Sequence, residues 1–83
     1  MGFVVYVIKS INGRQYIGHT SDLDRRIVEH NSGMCKTMKV DTGWRVIYQE
    51  SCSTRGEAMK RERWLKTGVG RDYLKQHTEE ATG

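Results

Sequence analysis

Tyr6, Tyr16, Arg26, His30 and Glu62 are side chains that could bind and activate a phosphodiester. Phenols and imidazoles move protons, a guanidinium fork grips a phosphoryl group, and a carboxylate holds a hard cation. The stretch QYIGHT, residues 15–20, concentrates this chemistry. Tyr16, Gly18 and Thr20 share one strand face there, and Ile17 and His19 share the other. That is not the apolar and polar alternation of an ordinary half-buried strand. Gly18 bares the backbone between two groups able to move protons.

The elements that must position these residues follow from local pattern. Residues 3–8 form a nearly unbroken apolar, β-branched and aromatic run, which suits a central strand covered on both faces. Asn12-Gly13 turns it into a second strand at 15–20. With a strict two-residue turn, Tyr6 would face His19 and the tyrosines would lie on opposite faces. Joint chemistry therefore predicts one extra turn residue: a type I turn with Gly13 left-handed as a G1 bulge. Ser21 reads as an N-cap with Asp24 three residues on, opening a helix to about Asn31 that Ser32-Gly33 stops. Residues 34–43 read as loop and 44–50 as a third strand. Thr54 with Glu57 has the capping-box pattern of a second helix ending near Gly68, and residues 70–77 form a short final helix. The order ββαβα plus a short C-terminal helix is an α+β arrangement, a three-stranded antiparallel sheet flanked by helices. It fills one domain over the whole chain.

Helical periodicity places polar groups where apolar ones belong. Leu23, Ile27 and His30, with Arg26 beside them, form the core-facing stripe of the first helix. Ala58, Glu62 and Leu65 share a face of the second, beside Met59. An unpaired inward carboxylate is costly, so Glu62 should border a cleft and find a cation or a donor there; the stripe itself offers no dedicated partner, so neutralising Glu62 should raise the melting temperature. Each residue also has an ordinary reading. The tyrosines suit strands, Arg26 could snorkel, His30 could cap its helix, and Glu62 could pair with Arg55 or Lys66. These readings weaken jointly, because all five fall on faces directed toward the sheet.

The chain has 83 residues and a formal charge of +4, enough for one small core and favourable to an anionic partner. No apolar run approaches the roughly eighteen residues of a membrane span, and the start MGFVVYVIKS lacks a secretory signal pattern, so a soluble, cytoplasmic protein without membrane contact is expected. Cys35 and Cys52 are isolated and read as free thiols.

Tyr6 in the first strand, Tyr16-Ile17-Gly18 in the second, Arg26 and His30 one turn apart, and EAMKRERWLK carrying Glu62 together resemble the GIY-YIG endonuclease superfamily. The likeness is to its small standalone bacterial, excinuclease-like members, over about residues 4–66. The resemblance implies an endonuclease that hydrolyses DNA with one metal ion, Mg²⁺ or Mn²⁺, in repair or recombination, with RNA not excluded. It implies Glu62 as metal ligand, Arg26 on the scissile phosphate, and one of the two tyrosines, with His19 or His30, activating the water. Gly18 would permit close approach. Hydrolysis needs acceleration of up to roughly 10¹⁷-fold where one general base supplies about 10²–10⁴, so several groups must act together. Val4-Val5-Tyr6 stands where the family name has Gly-Ile-Tyr, His19 where some members have lysine, and the Asn of larger members after the second helix is missing.

Lys36, Lys39, Lys60, Arg63 and Lys66, with Arg26, Arg55 and Arg61, give a basic surface for nucleic acid under either of two readings, enzyme or catalytically weak binding module. The inward carboxylate favours the enzyme. A protein-interaction domain rests only on Trp44 and Trp64. A monomer is expected, with room for a partner protein.

Overall fold

The computed structural model describes residues 2–32 and 43–78. The apolar run forms β1 (Phe3–Lys9), in which Val5, Tyr6, Val7 and Ile8 are all buried. It is the middle strand of an antiparallel sheet ordered β2-β1-β3, with β2 (Gln15–Thr20) and β3 (Arg45–Cys52) at the edges. Burial on both faces explains why its hydrophobicity is continuous. Val5, Val7 and Ile8 each contribute about 1.5–3 kcal/mol by leaving water. α1 (Leu23–Asn31), α2 (Arg55–Leu65) and α3 (Gly68–His77) complete the α+β arrangement expected from the sequence.

The β1–β2 turn has the extra residue that the tyrosines demand. Gly13 N–H donates to the Ser10 carbonyl (3.0 Å), Ser10 N–H donates to the Arg14 carbonyl (2.8 Å), and Gly13 has φ +88°. This is the type I turn with a left-handed glycine bulge. The buried Ser10 hydroxyl accepts from the Asn12 and Arg14 amides and pins the loop. Tyr6 then pairs with Gly18 and Ile8 with Tyr16, so both tyrosines share one face.

The sheet separates two packed layers. On the Tyr6 face, α1 packs Leu23 and Ile27 against Tyr6, Ile8, Tyr16, Trp44 and Val46. On the other, α2 and α3 bring Ala58, Leu65 and Leu74 onto Val5 and Val7. β3 breaks register between its partners Val7 and Ile8, and the extra residue is Ile47, which joins the α3 side.

Three helix boundaries differ from expectation. Asp22, not Ser21, caps α1, its carboxylate accepting from Arg25 N–H (3.2 Å). The Thr20 hydroxyl takes the Asp22 amide (3.1 Å), which delays helix entry by one residue. Thr54 caps α2 as expected, while the Glu57 carboxylate reaches back to the Ser53 amide. α2 stops at Leu65, because Lys66 and Thr67 donate three residues back to Arg63 and Trp64, and Thr67 caps α3. Gly68 therefore opens α3. Cys52 is a free thiol, whereas Cys35, Lys36 and Lys39 lie outside the described residues. Among the described residues, no helix is long and apolar enough to cross a membrane.

Candidate active site

Tyr6, Tyr16 and His30 form one cluster beneath α1. Tyr6 and His30 are each 1% exposed, and Tyr6 Oη lies 3.3 Å from His30 Nε2. The ring centroids are 6.1 Å apart for Tyr6–Tyr16 and 5.2 Å for Tyr16–His30. Trp44 closes the far side of the imidazole at 6.1 Å. That indole is held because Asn31 clamps its backbone: Trp44 N–H donates to Asn31 Oδ1 (2.7 Å) and Asn31 Nδ2 donates back to the Trp44 carbonyl (3.2 Å). Neither residue stood out as a positioning pair in the sequence, since they stand 13 positions apart along the chain. Burial, then the nearby Arg26 charge, lowers the His30 pKa below its ordinary value against a weaker opposite pull from Glu29. The ring is neutral at pH 7, and its buried Nδ1 has no partner among the described residues.

Gly18 is what lets the tyrosines lie so close to the edge strand. A Cβ there would fall 2.8 Å from Tyr16 Cε2 and 2.9 Å from Tyr6 Oη. The two phenols therefore rest on bare backbone of β2. Arg26 stands one turn before His30 with its side chain about one-third exposed, and its Nη1 donates to Glu29 Oε1 at 3.1 Å.

Glu62 belongs to the opposite face. β2 alternation turns His19 away from Tyr16 and Gly18, and α2 packs on the side that His19 faces. His19 Nδ1 lies 2.6 Å from Glu62 Oε1, and Lys66 Nζ lies 2.8 Å from Glu62 Oε2. Glu62 thus finds the donor and the cation expected of an inward carboxylate, supplied by His19 and Lys66, so its stripe does not leave it without a dedicated partner. Burial raises its pKa, but the hydrogen bonds from His19 and Lys66 outweigh that and leave it below the ordinary carboxylate value. An ionised carboxylate can only accept, so His19 Nδ1 carries the hydrogen, and Nε2 is the ring nitrogen left to meet another group. The five candidates are consequently not gathered on one side. Tyr6, Tyr16 and His30 lie under α1, Glu62 lies under α2, and the two groups share β2, an edge strand that has no side chain at Gly18.

A model of the GIY-YIG catalytic domain matches residues 2–74. The chain belongs to the GIY-YIG family. A UPF0213 protein of Staphylococcus saprophyticus is 36% identical over 72 residues, which are 86% of this chain and 88% of that protein. One from Staphylococcus aureus is 39% identical over 64 residues, 76% of this chain and 78% of that one. The solution structure of a UPF0213 protein from Bacillus halodurans is similar with a TM-score of 0.54 and 30% identity, over 89% of this chain and 82% of that one. GIY-YIG domains are nuclease domains, so membership places this chain among proteins that act on nucleic acid.

For a GIY-YIG chain a divalent ion is expected. No three His, Cys, Asp or Glu side chains among the described residues converge as a cage. An ion here would be held by one carboxylate, water and substrate phosphate, the habit of Mg²⁺. Glu62 fits that donor set, being ionised and partly open, with 19% of its side chain exposed. Each oxygen engages one donor and keeps a lone pair. Among the described residues, the basic side chains of α2 differ in what they already engage. Arg61 is spent on Glu50 (2.9 Å) and stacks on Trp64 (4.4 Å), and Lys66 is spent on Glu62, whereas Lys60 and Arg63 are exposed. Trp44 is buried and Trp64 packs edge-on against Tyr73, so neither is an exposed aromatic anchor for a partner protein.

Proposed function

We propose that this chain hydrolyses phosphodiester bonds in DNA with one divalent ion, Mg²⁺ or Mn²⁺, in repair or recombination. The observation that carries the reading is the convergence on β2. Tyr6 and Tyr16 lie against the bare backbone at Gly18, and the neighbouring residue His19 is oriented by an ionised Glu62. An imidazole held by a carboxylate on one face of this edge strand, and a phenol against a buried imidazole on the other, are groups able to deprotonate water at the strand's bare edge. Arg26 would bind the scissile phosphate with its fork, exchanging Glu29 for the stronger anion. Neutral His30 would take or return the Tyr6 proton across their 3.3 Å contact. Glu62 would hold the metal ion, which when bound supplies Lewis-acid stabilisation of the leaving 3′ oxygen. Lys60 and Arg63 on α2 would meet neighbouring phosphates without reading sequence.

The test is cleavage of plasmid, single-stranded and branched DNA with Mg²⁺ or Mn²⁺, for the parent, Tyr16→Phe and Glu62→Gln. The parent should cut at least one substrate, and each variant should be slower by about 10² or more. A Glu62→Gln protein that cuts like the parent would falsify this assignment. One observation favours a binding module instead: both Glu62 oxygens already engage donors. Salt-dependent DNA binding without cleavage in any metal would establish that second reading.

A further inference from the structure

A cavity of about 550 Å³ opens between α3 and the β1–β2 hairpin, on the face away from Tyr6. Its floor is apolar, made by Ile17, Ile47 and Leu74, and its walls carry Lys9, Arg71 and Lys75. Among the described residues, no carboxylate lines it. The volume lies within the roughly 300–1,000 Å³ typical of small-molecule sites.

Two of these cations stand on one helix with the leucine of the floor. Arg71, Leu74 and Lys75 follow the i, i+3, i+4 spacing of a single helix face, and Leu74 sets that face inward at 6% exposure. Arg71 and Lys75 therefore flank that leucine at the cavity rim, exposed to solvent, while Val69 stands outside at 67% exposure. The sheet contributes equally unusual pieces. The β3 bulge directs the extra residue Ile47 to this side, and bulges commonly re-aim side chains next to sites. Lys9 pairs across the strands with Gln15, placing an amide beside the ammonium at the cavity mouth.

Arg71 and Lys75, like charges beside an apolar floor, favour an anion between them, and a bare inorganic anion would leave the floor wet. The ligand that fits both parts has a flat apolar body and a phosphate. We propose that this cavity binds a nucleoside 5′-phosphate, its base on Ile17, Ile47 and Leu74 and its phosphate on Arg71 and Lys75. Choosing a nucleoside as the apolar body rests on the nucleic-acid reading above. Ile17 lies two residues from His19 on the same strand face, about 7 Å by strand rise, so a phosphorylated strand end seated here adjoins the His19–Glu62 pair.

The experiment titrates the full chain in EDTA, where metal-dependent cleavage cannot intervene, with thymidine 5′-monophosphate, thymidine, inorganic phosphate, and oligothymidylate with and without a 5′-phosphate. Calorimetry and amide shifts in ¹⁵N-labelled protein are the readouts. The monophosphate should bind at least tenfold more tightly than thymidine or phosphate, shifting the Gln15, Ile17 and Leu74 amides. Arg71→Gln/Lys75→Gln should weaken it at least tenfold with the rest of the spectrum unchanged. A 5′-phosphorylated oligonucleotide that outcompetes the monophosphate identifies a strand end as the ligand, and equal binding identifies the free nucleotide. Phosphate binding as well as the monophosphate, shifts gathered elsewhere, or undiminished binding by the double variant would overturn the site. A chain that binds the monophosphate but cuts no DNA loses the nuclease reading alone, and a chain that cuts DNA but ignores the monophosphate loses this site alone.

Discussion

Gly18→Ala tests whether the tyrosines owe their position to missing side-chain volume in β2. The new Cβ would stand 2.8 Å from Tyr16 Cε2, 2.9 Å from Tyr6 Oη and 3.1 Å from Tyr6 Cζ. Ordinary carbon contacts sit near 3.5–4.0 Å, so at least one ring must retreat by about 0.5–1 Å. Tyr6 cannot retreat easily, being 1% exposed with its hydroxyl against His30. Overpacking of this kind costs about 1–3 kcal/mol. The loss of unfolded-state freedom offsets about 0.4–1 kcal/mol. Gly18 is not among the residues of positive φ, so backbone strain adds nothing. The net expectation is about 1–2 kcal/mol of destabilisation, seen as a lower urea midpoint at constant slope. Cleavage should fall further than stability, by roughly 10²-fold, because misplacing reacting groups by about 1 Å costs that much. Tyr6→Phe removes the Oη contact, so the double variant should be less destabilised than the sum of the singles. An alanine variant with parental stability and unchanged Tyr6 and Tyr16 ring resonances would refute the packing argument.

Three further outcomes follow from particular contacts. Burial and Arg26 keep the His30 pKa below its ordinary 6.5, so the unfolded chain takes up protons there first. Stability should be full above about pH 6.5 and fall as pH drops from there toward the lowered folded value, and His30→Phe should remove that part of the slope in urea titrations at pH 7.5 and 5.5. Glu62→Gln should lower stability by about 1 kcal/mol at pH 7 rather than raise it, since it loses charge on two hydrogen bonds. The carboxylate's pKa is depressed from 4.5, so this difference should persist above pH 4.5 and vanish as pH falls through the lower folded value; a difference unchanged at pH 3 would count against the pairing. Gly70→Ala puts a Cβ 2.1 Å from the Trp64 carbonyl oxygen and 2.5 Å from Leu65 Cα, both rigid backbone. It should cost roughly 3 kcal/mol or more and strip amide protection from α3, and near-parental protection would contradict the close α2–α3 approach.

The legible parts of this molecule were those decided by short-range physics. Continuous apolarity over residues 3–8 marks a strand covered on both faces. Thr54 with Glu57 marks a helix start, and the need to put Tyr6 and Tyr16 on one face specifies the turn at Gly13, because a one-residue slip reverses every side chain. Family membership was legible for the same reason, since Tyr16-Ile17-Gly18, Arg26, His30 and Glu62 keep their order along the chain. Even there a neighbour could intervene, as when the Thr20 hydroxyl moved the cap from Ser21 to Asp22. Which layer each helix covers is not written in its own period. α1 and α2 each bury one face, and only packing on opposite faces of β1 put Glu62 across the sheet from the tyrosines. The same packing supplied His19 as its partner from 43 residues away, a separation over which no local spacing signals contact. The cationic cavity under α3 arose likewise, from a β3 bulge and a helix whose anchoring leucine set Arg71 and Lys75 at its rim. Periodicity states that a face is shared, and only the summed burial of the whole chain decides what that face meets.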